Sequence, residues 1–281
     1  MKNYVASVQT RLKNIARAEG KNFQLLLIRY FQERILFRLS QSKYSNRFCL
    51  KGGALVYALE QEKSRPTMDL DFLGVNVSRD PEGLIPLYEE ILSMKYEPDG
   101  VTFDTSSISI SEIIKEGNYN GTRIKVIAFL GKIRQNMQID IGFGDTVTPK
   151  PIQMKYPTLL AMDEPEVLAY SVETIIAEKF EAMIDLAEMN SRMKDFYDLY
   201  RLLQPGKYDT SILRQAISNT FHTRGSMTPK EHVLFQDAFS LNEKRVSQWN
   251  TFLKKSKLEN ISFETVHRQI TDVLKPIYER L

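Results

Sequence analysis

Lys51-Gly52-Gly53-Ala54-Leu55, followed by Arg65-Pro66-Thr67-Met68-Asp69-Leu70-Asp71-Phe72-Leu73-Gly74, is the part of the chain from which the fold is read. On a strand, side chains i and i+2 share a face. Asp69 and Asp71 therefore stand side by side, while Leu70 and Phe72 point the other way into a core. Two like charges at that spacing raise each other's cost of ionisation. The arrangement is tolerable mainly when a cation lies between them. A hard divalent ion such as Mg2+, which takes carboxylate and phosphate oxygens, is the natural candidate. The stretch reads as a short apolar segment, a turn at Gly52-Gly53, a helix from Ala54 to Gln61 and a strand over 68–77.

Upstream, apolar positions recur at helical spacing through residues 3–40, and Gly20-Lys21-Asn22 divides them into two helices. Downstream, Pro81-Glu82-Gly83 opens a helix to about Lys95. Three β-like segments follow: Ser106–Ile114, Thr122–Leu130 and Met137–Gly144. The turn Asn118-Tyr119-Asn120-Gly121 links the first two, since Asn-Gly is a strong hairpin signal. Gly131 to Gln135 sets off the third. Links this short predict an antiparallel or mixed sheet. Pro149, Pro151 and Pro157 mark a linker or irregular crossover. From Val172 onward the pattern is helical, over about 172–189, 191–203, 210–221, 229–240, 242–256 and 262–279. The expected organisation is an N-terminal helical arm (1–45), an α/β core (46–160) and a C-terminal helical domain (161–281). The fold class is α+β.

Composition bounds the function. Of 281 residues, 42% are hydrophobic and 26% charged, which describes an ordinary soluble globular protein. A formal net charge of +3 does not by itself indicate nucleic acid. The single cysteine, Cys49, excludes an internal disulfide framework and agrees with a reducing cytoplasm. Its neighbours Phe48 and Leu50 predict a buried thiol. One Cys and three scattered His offer no zinc-ligand spacing. No apolar run is long enough for a transmembrane helix, and the N-terminus has no signal-peptide pattern. A cytoplasmic protein without membrane partners is expected.

Asp140, flanked by Ile139 and Ile141 on a predicted strand, is a further acid that needs a partner. If its strand lies beside that of Asp69 and Asp71, three carboxylates converge as the ligand set of a two-metal site. The alternative is an ion pair with a basic residue such as Arg123. Gly52-Gly53 is either a plain turn or a phosphate cradle at a helix start. Arg65 either reaches a phosphate or is a solvated loop residue. Thr67 either orients the turn or contacts ligand. Lys179 lies on a helix with Ile175, Ile176, Phe180 and Met183, and either meets a phosphate or is solvated. Asp195 and Asp198 share one side of a helix, where Arg192 can pair with Asp195.

Taken together, these segments resemble the nucleotidyltransferase superfamily of DNA polymerase β type. Gly52-Gly53-Ala54-Leu55 with Arg65-Pro66-Thr67-Met68-Asp69-Leu70-Asp71-Phe72 resembles its AbiEii/AbiGii toxin family more closely, with MenT-type toxins as relatives. Glu173 through Lys179, and Arg192-Met193-Lys194-Asp195-Phe196-Tyr197-Asp198-Leu199, are similar to that family's helical motifs. The likeness spans about residues 48–204. One departure is Gly53-Ala54 where many superfamily members have Gly-Ser, which removes a phosphate-contacting hydroxyl.

The resemblance implies a polymerase β-like mixed sheet with flanking helices. It implies Mg2+, or Mn2+, held by Asp69, Asp71 and Asp140. Nucleotide binding falls to Gly52, Gly53, Arg65, Thr67, Lys179 and Asp195, and Lys179 and Asp198 join the three metal-binding acids as catalytic residues. The activity implied is transfer of a nucleotide from an NTP to an acceptor hydroxyl, with the tRNA 3′ end as leading acceptor. The setting is a toxin–antitoxin or abortive phage-infection system, with a cognate antitoxin that need not form a tight complex. The alternatives are a protein or small-molecule acceptor, or a non-catalytic nucleotide-binding module.

Overall fold

The period-two pattern around Asp69 and Asp71 places them on one strand of a seven-stranded mixed sheet. The computed structural model describes residues 3–114 and 120–281. The strands are β1 (Phe48–Lys51), β2 (Asp69–Gly74), β3 (Val101–Ile114), β4 (Asn120–Leu130), β5 (Ile133–Gly142), β6 (Ile152–Lys155) and β7 (Glu166–Ala169). Their order across the sheet is β3-β4-β5-β2-β1-β7-β6. β2 runs parallel to β5 and antiparallel to β1, and β1 runs parallel to β7. The other neighbours are antiparallel.

Two compact units emerge. The sheet unit comprises the chain up to Ala58, Pro66–Gly144 and Ile152–Ala169; the helical unit comprises Leu59–Arg65, Asp145–Pro151 and Tyr170–Leu281. In the sheet unit, α1 (Tyr4–Ala18) packs on α2 (Phe23–Ser40), and α2 packs on α4 (Pro81–Ser93), β5 and β7. Leu70 and Phe72 of β2 and Ile139 and Ile141 of β5 are all buried. Phe48 meets both Phe72 and Tyr88 of α4, with ring centroids 6.0 and 5.4 Å apart. Cys49 is buried, as its apolar neighbours predict. The opposite side chains of β5, Gln138 and Asp140, are only half-buried.

The helical unit is built from α5 (Val172–Leu186), α6 (Met193–Leu202), α7 (Thr210–Arg224), α8 (Asp237–Leu241), α9 (Glu243–Ser256) and α10 (Phe263–Tyr278). Its core is aromatic: Phe196 lies 5.1 Å from Phe263, and the buried Trp249 donates its indole N–H to the Ile261 carbonyl at 2.7 Å. No helix among the described residues is long and apolar enough to cross a membrane.

Several elements differ from the sequence reading. β3 begins at Val101, because a register shift between Asp104 and Ser109 interrupts the alternation that marks its second half. Asn120 and Gly121 belong to β4, opposite Ile114 and Ile113, so they are not the turn. The rest of that turn, Asn118 and Tyr119, lies outside the described residues. β4 and β5 are joined through Gly131-Lys132 alone, and Gly131 takes a φ of +59° that side chains resist. The expected crossover contains β6 and β7. Between 229 and 240, a 3-10 turn at Val233–Phe235 and the short α8 replace one helix.

Helix α2 is buried nearly all round and carries polar side chains inward. Arg38 and Asp99 are both fully enclosed and paired at 2.8 Å. Arg38 also donates to the carbonyls of Arg34, Met94 and Val101, and Asp99 accepts from the Val101 N–H. Every charge-bearing atom is thus satisfied, so removing one partner strands a buried ion. Glu33 accepts from the Leu159 N–H at 3.0 Å and stands 3.5 Å from Arg29. Burial pushes its carboxyl up to about 7, against the pull of Arg29, the Leu159 N–H and Arg34.

Asp99→Ala is expected to lower unfolding free energy by about 3–5 kcal/mol, whereas Arg38→Met with Asp99→Leu recovers most of that loss. Urea unfolding of the two variants checks this. The folded state holds the Glu33 proton more tightly than the unfolded chain does. Glu33's contribution therefore weakens as pH rises from about 4.5 to about 7. Stability measured across that interval should fall less with pH in Glu33→Gln than in the wild type.

Candidate functional site

Register brings the acids together. β2 and β5 pair in parallel with Asp69 opposite Gln138 and Asp71 opposite Asp140. One carboxylate oxygen from each of Asp69, Asp71 and Asp140 lies within 4.8 Å of the others. All three side chains are half-buried. Each is held by a neighbour. Thr67 donates its hydroxyl to Asp69 Oδ1 at 2.9 Å. Arg123, opposite Asp140 on β4, donates Nε to Oδ1 and Nη2 to Oδ2, both at 2.8 Å. Gln138 donates to Oδ2 at 3.2 Å. The two readings of Asp140 are therefore not exclusive: it belongs to the acid cluster and is paired with Arg123.

Asp71 explains Gly52. Helix α3 (Gly52–Glu60) starts at Gly52, two residues before the predicted Ala54. Gly52 has a φ of +66°, and a Cβ there would stand 2.7 Å from the Asp71 carboxyl carbon and closer still to its Oδ2. The carboxylate thus lies against the first residue of a helix, where peptide N–H groups lack intrahelical partners. The glycine is needed for the acid's fit, whatever else this turn binds. Lys51, the residue across from Asp71 on β1, places its side chain on the same face as Asp71.

The donor set is three hard carboxylate oxygens with no thiolate or imidazole. That fits Mg2+ or Mn2+ and suits zinc poorly.

A second charged cluster lies in the helical unit. Lys179 on α5 reaches Asp195 Oδ1 at 2.7 Å and Asp198 Oδ2 at 2.8 Å, both on α6. Arg65 donates Nε to Asp198 Oδ1 at 3.1 Å and Nη2 to Oδ2 at 3.0 Å. Asp198 is fully enclosed, and Arg65 and Lys179 expose only 10% and 11% of their side chains. Neither basic residue is the solvated side chain that one sequence reading allowed. Arg192 approaches Asp195 at 3.9 Å. Burial opposes ionisation of Lys179, yet Asp195 and Asp198 hold its pKa above the ordinary value. Burial likewise opposes the Asp195 charge, and Lys179 overcomes it and lowers that carboxyl. Tyr197 is buried beside Trp249 and Phe252 and donates to the Lys63 carbonyl, a core role.

The predicted site residues thus form two groups. Asp69, Asp71, Asp140, Gly52, Gly53 and Thr67 belong to the sheet unit, and Arg65, Lys179, Asp195 and Asp198 to the helical unit. Sequence reading passed over Lys51 and Gln138. The available signals were the position of Lys51 at a strand end before a glycine pair and of Gln138 two residues before Asp140.

Comparison with known proteins adds an independent line. A family model described as nucleotidyl transferase AbiEii toxin, type IV TA system, matches residues 34–269. Curated proteins give no match. Among solved structures, JHP933 from Helicobacter pylori is similar over 92% of this chain and 94% of its own, with a TM-score of 0.53 at 18% identity. MenT4, the nucleotidyltransferase toxin Rv2826c of Mycobacterium tuberculosis H37Rv, is similar over 96% of this chain and 98% of its own, with a TM-score of 0.57 at 14% identity. At such identities the structural likeness speaks for the fold. The family match runs from the middle of α2 into α10, and on that ground the chain belongs to the AbiEii nucleotidyltransferase toxin family of type IV toxin–antitoxin systems.

Proposed function

We propose that the protein transfers a nucleotide from an NTP to a hydroxyl of RNA, with the tRNA 3′ end as acceptor, in a divalent-metal-dependent reaction. The convergence of Asp69, Asp71 and Asp140 within 4.8 Å is the observation that carries this reading. Three clustered acids cost stability unless they do chemistry or hold a cation.

Asp69, Asp71 and Asp140 would hold Mg2+ or Mn2+. Held there, such an ion would neutralise triphosphate charge and make a bound hydroxyl easier to deprotonate. In the transfer, the acceptor oxygen forms a bond to the α-phosphorus. The bond from that phosphorus to the oxygen bridging to the β-phosphate breaks, the hydroxyl proton passes to solvent, and pyrophosphate leaves. Positioning and charge neutralisation carry most of such a reaction. Thr67 keeps Asp69 in one orientation for that task. Gly52 and Gly53 supply a helix start for phosphate oxygens. Lys179 is a phosphate ligand in this reading, which requires it to exchange part of its pairing with Asp195 and Asp198.

An RNA acceptor is supported by the sheet face that carries the acids. Lys125 and Arg134 follow the same alternation as Arg123 and Asp140, and both are exposed. Basic side chains along that face suit a phosphodiester chain, whose affinity depends on phosphate neutralisation. The cognate antitoxin of a type IV system is the protein's other functional partner.

Incubating the protein with each radiolabelled NTP, Mg2+ or Mn2+, total RNA and total protein tests the reading. Label on tRNA is expected. Label on a polypeptide or small molecule would replace the acceptor, and no label in any mixture with folded protein would end the transferase reading. Asp69→Asn should reduce transfer by about a hundredfold or more while changing stability by no more than about 1 kcal/mol. Asp198→Ala removes the carboxylate that Arg65 grips and one of the two that hold Lys179, and should cost about 3–5 kcal/mol. Melting curves of the two variants separate a chemical loss from a folding loss.

A further inference from the structure

Asp140 is engaged on both of its carboxylate oxygens. A carboxylate offers roughly four lone-pair positions. On Oδ2, Arg123 and Gln138 occupy both. On Oδ1, Arg123 occupies one, leaving one free among the described residues. Arg123 approaches as a fork with two parallel bonds of 2.8 Å, the geometry in which a guanidinium fixes a carboxylate plane. The register partners β4 and β5 hold both backbones, so the pair is built into the sheet. With 36% of its side chain exposed, Arg123 is not a core residue.

The charge count matters as much as the geometry. Three ionised acids carry a formal charge of −3, which Arg123 offsets at Asp140 and Lys51, on the same face as Asp71, offsets further. A cation that binds Asp140 then shares its carboxylate with a fixed positive charge. Acids arranged without such a charge would bind a divalent ion more tightly before any nucleotide arrives.

We propose that Arg123 is a positioning residue that presents Asp140 as a one-oxygen ligand and keeps divalent-ion affinity low until a nucleotide brings its own phosphate charge. This rests on the transferase reading for its purpose, but its first readout needs no turnover. Arg123 grips the acid itself. Its effect runs through the orientation of Asp140 and the charge beside it.

The test uses the full chain as wild type, Arg123→Gln, Arg123→Lys and Asp69→Asn. Free Mn2+ is followed by electron paramagnetic resonance during titration without nucleotide. Arg123→Gln should tighten Mn2+ binding by about tenfold, the order expected when a like charge is removed from a partly solvated site. Arg123→Lys keeps the charge and should bind Mn2+ as the wild type does. Where transfer is measurable, both variants should lose kcat with little change in KM for the NTP, because an ammonium cannot hold two oxygens as a fork does. Unchanged or weaker Mn2+ binding in Arg123→Gln would overturn the proposal. If Arg123→Gln does not fold, a Lys variant with wild-type kcat would overturn it and one with reduced kcat at wild-type Mn2+ affinity would support it. Loss of Mn2+ binding in Asp69→Asn alone would leave the acid cluster as a metal site while Arg123 loses its role. Absence of Mn2+ binding in the wild type would remove both.

Discussion

Holding three carboxylates within 4.8 Å of one another is a constraint that works against folding, and the sheet is arranged to withstand it. The opposing force comes from the other face of the same strands. Leu70, Phe72, Ile139 and Ile141 are buried there, and together they fix the register of β2 against β5. A slip of one residue would expose those side chains and bury the acids, so register is strongly specified. The hydrophobic core and the acid cluster are two consequences of one alternation. Thr67, Gln138 and Arg123 then fix rotamers that backbone register alone leaves open.

The cluster in the helical unit follows a different physical rule. Asp195 and Asp198 are offset by Lys179 and Arg65, with Arg192 nearby, so their charges are compensated within the group. Such a group is self-sufficient without a ligand, whereas the acids of the sheet unit are not neutral even with Arg123. Breaking a buried pair costs more than the pair contributes. Loss of function on altering Lys179 or Asp198 therefore carries a folding component that the half-buried Asp69 lacks. The sheet acids are the cleaner place to read chemistry.

Much of this was present in the chain's own pattern. Asp69-Leu70-Asp71-Phe72 states its period, and Asn22 and Ser171 cap the helices that follow them. What escaped reading has identifiable causes. β6 shows no alternation, with three of its four residues exposed, and it lies among prolines that suggest a linker. Arg65 and Asp198 are separated by 133 positions, and nothing local marks them as partners. Helix α2 encloses Glu33, Arg34 and Arg38, and helical spacing of its apolar positions does not mark them as buried, since charges seldom are. Gly52 was legible as a glycine before a helix, but its reason is the Asp71 carboxylate across the sheet.

Likeness at 14–18% identity shows that another chain can be folded this way, and a shared fold does not transfer an activity. The chemistry has to be argued from side chains in this chain. Here the family match and the acid cluster meet at one place, since Asp69, Asp71 and Asp140 all fall within residues 34–269. The two lines are different in kind: one is similarity of sequence pattern, the other an electrostatic cost that folding alone does not explain. A purely structural module has no need to gather three like charges on one face. Their joint presence, with Gly52 opened to admit Asp71 and Arg123 set against Asp140, is the arrangement expected when the cost is offset by binding a cation and the phosphates that come with it.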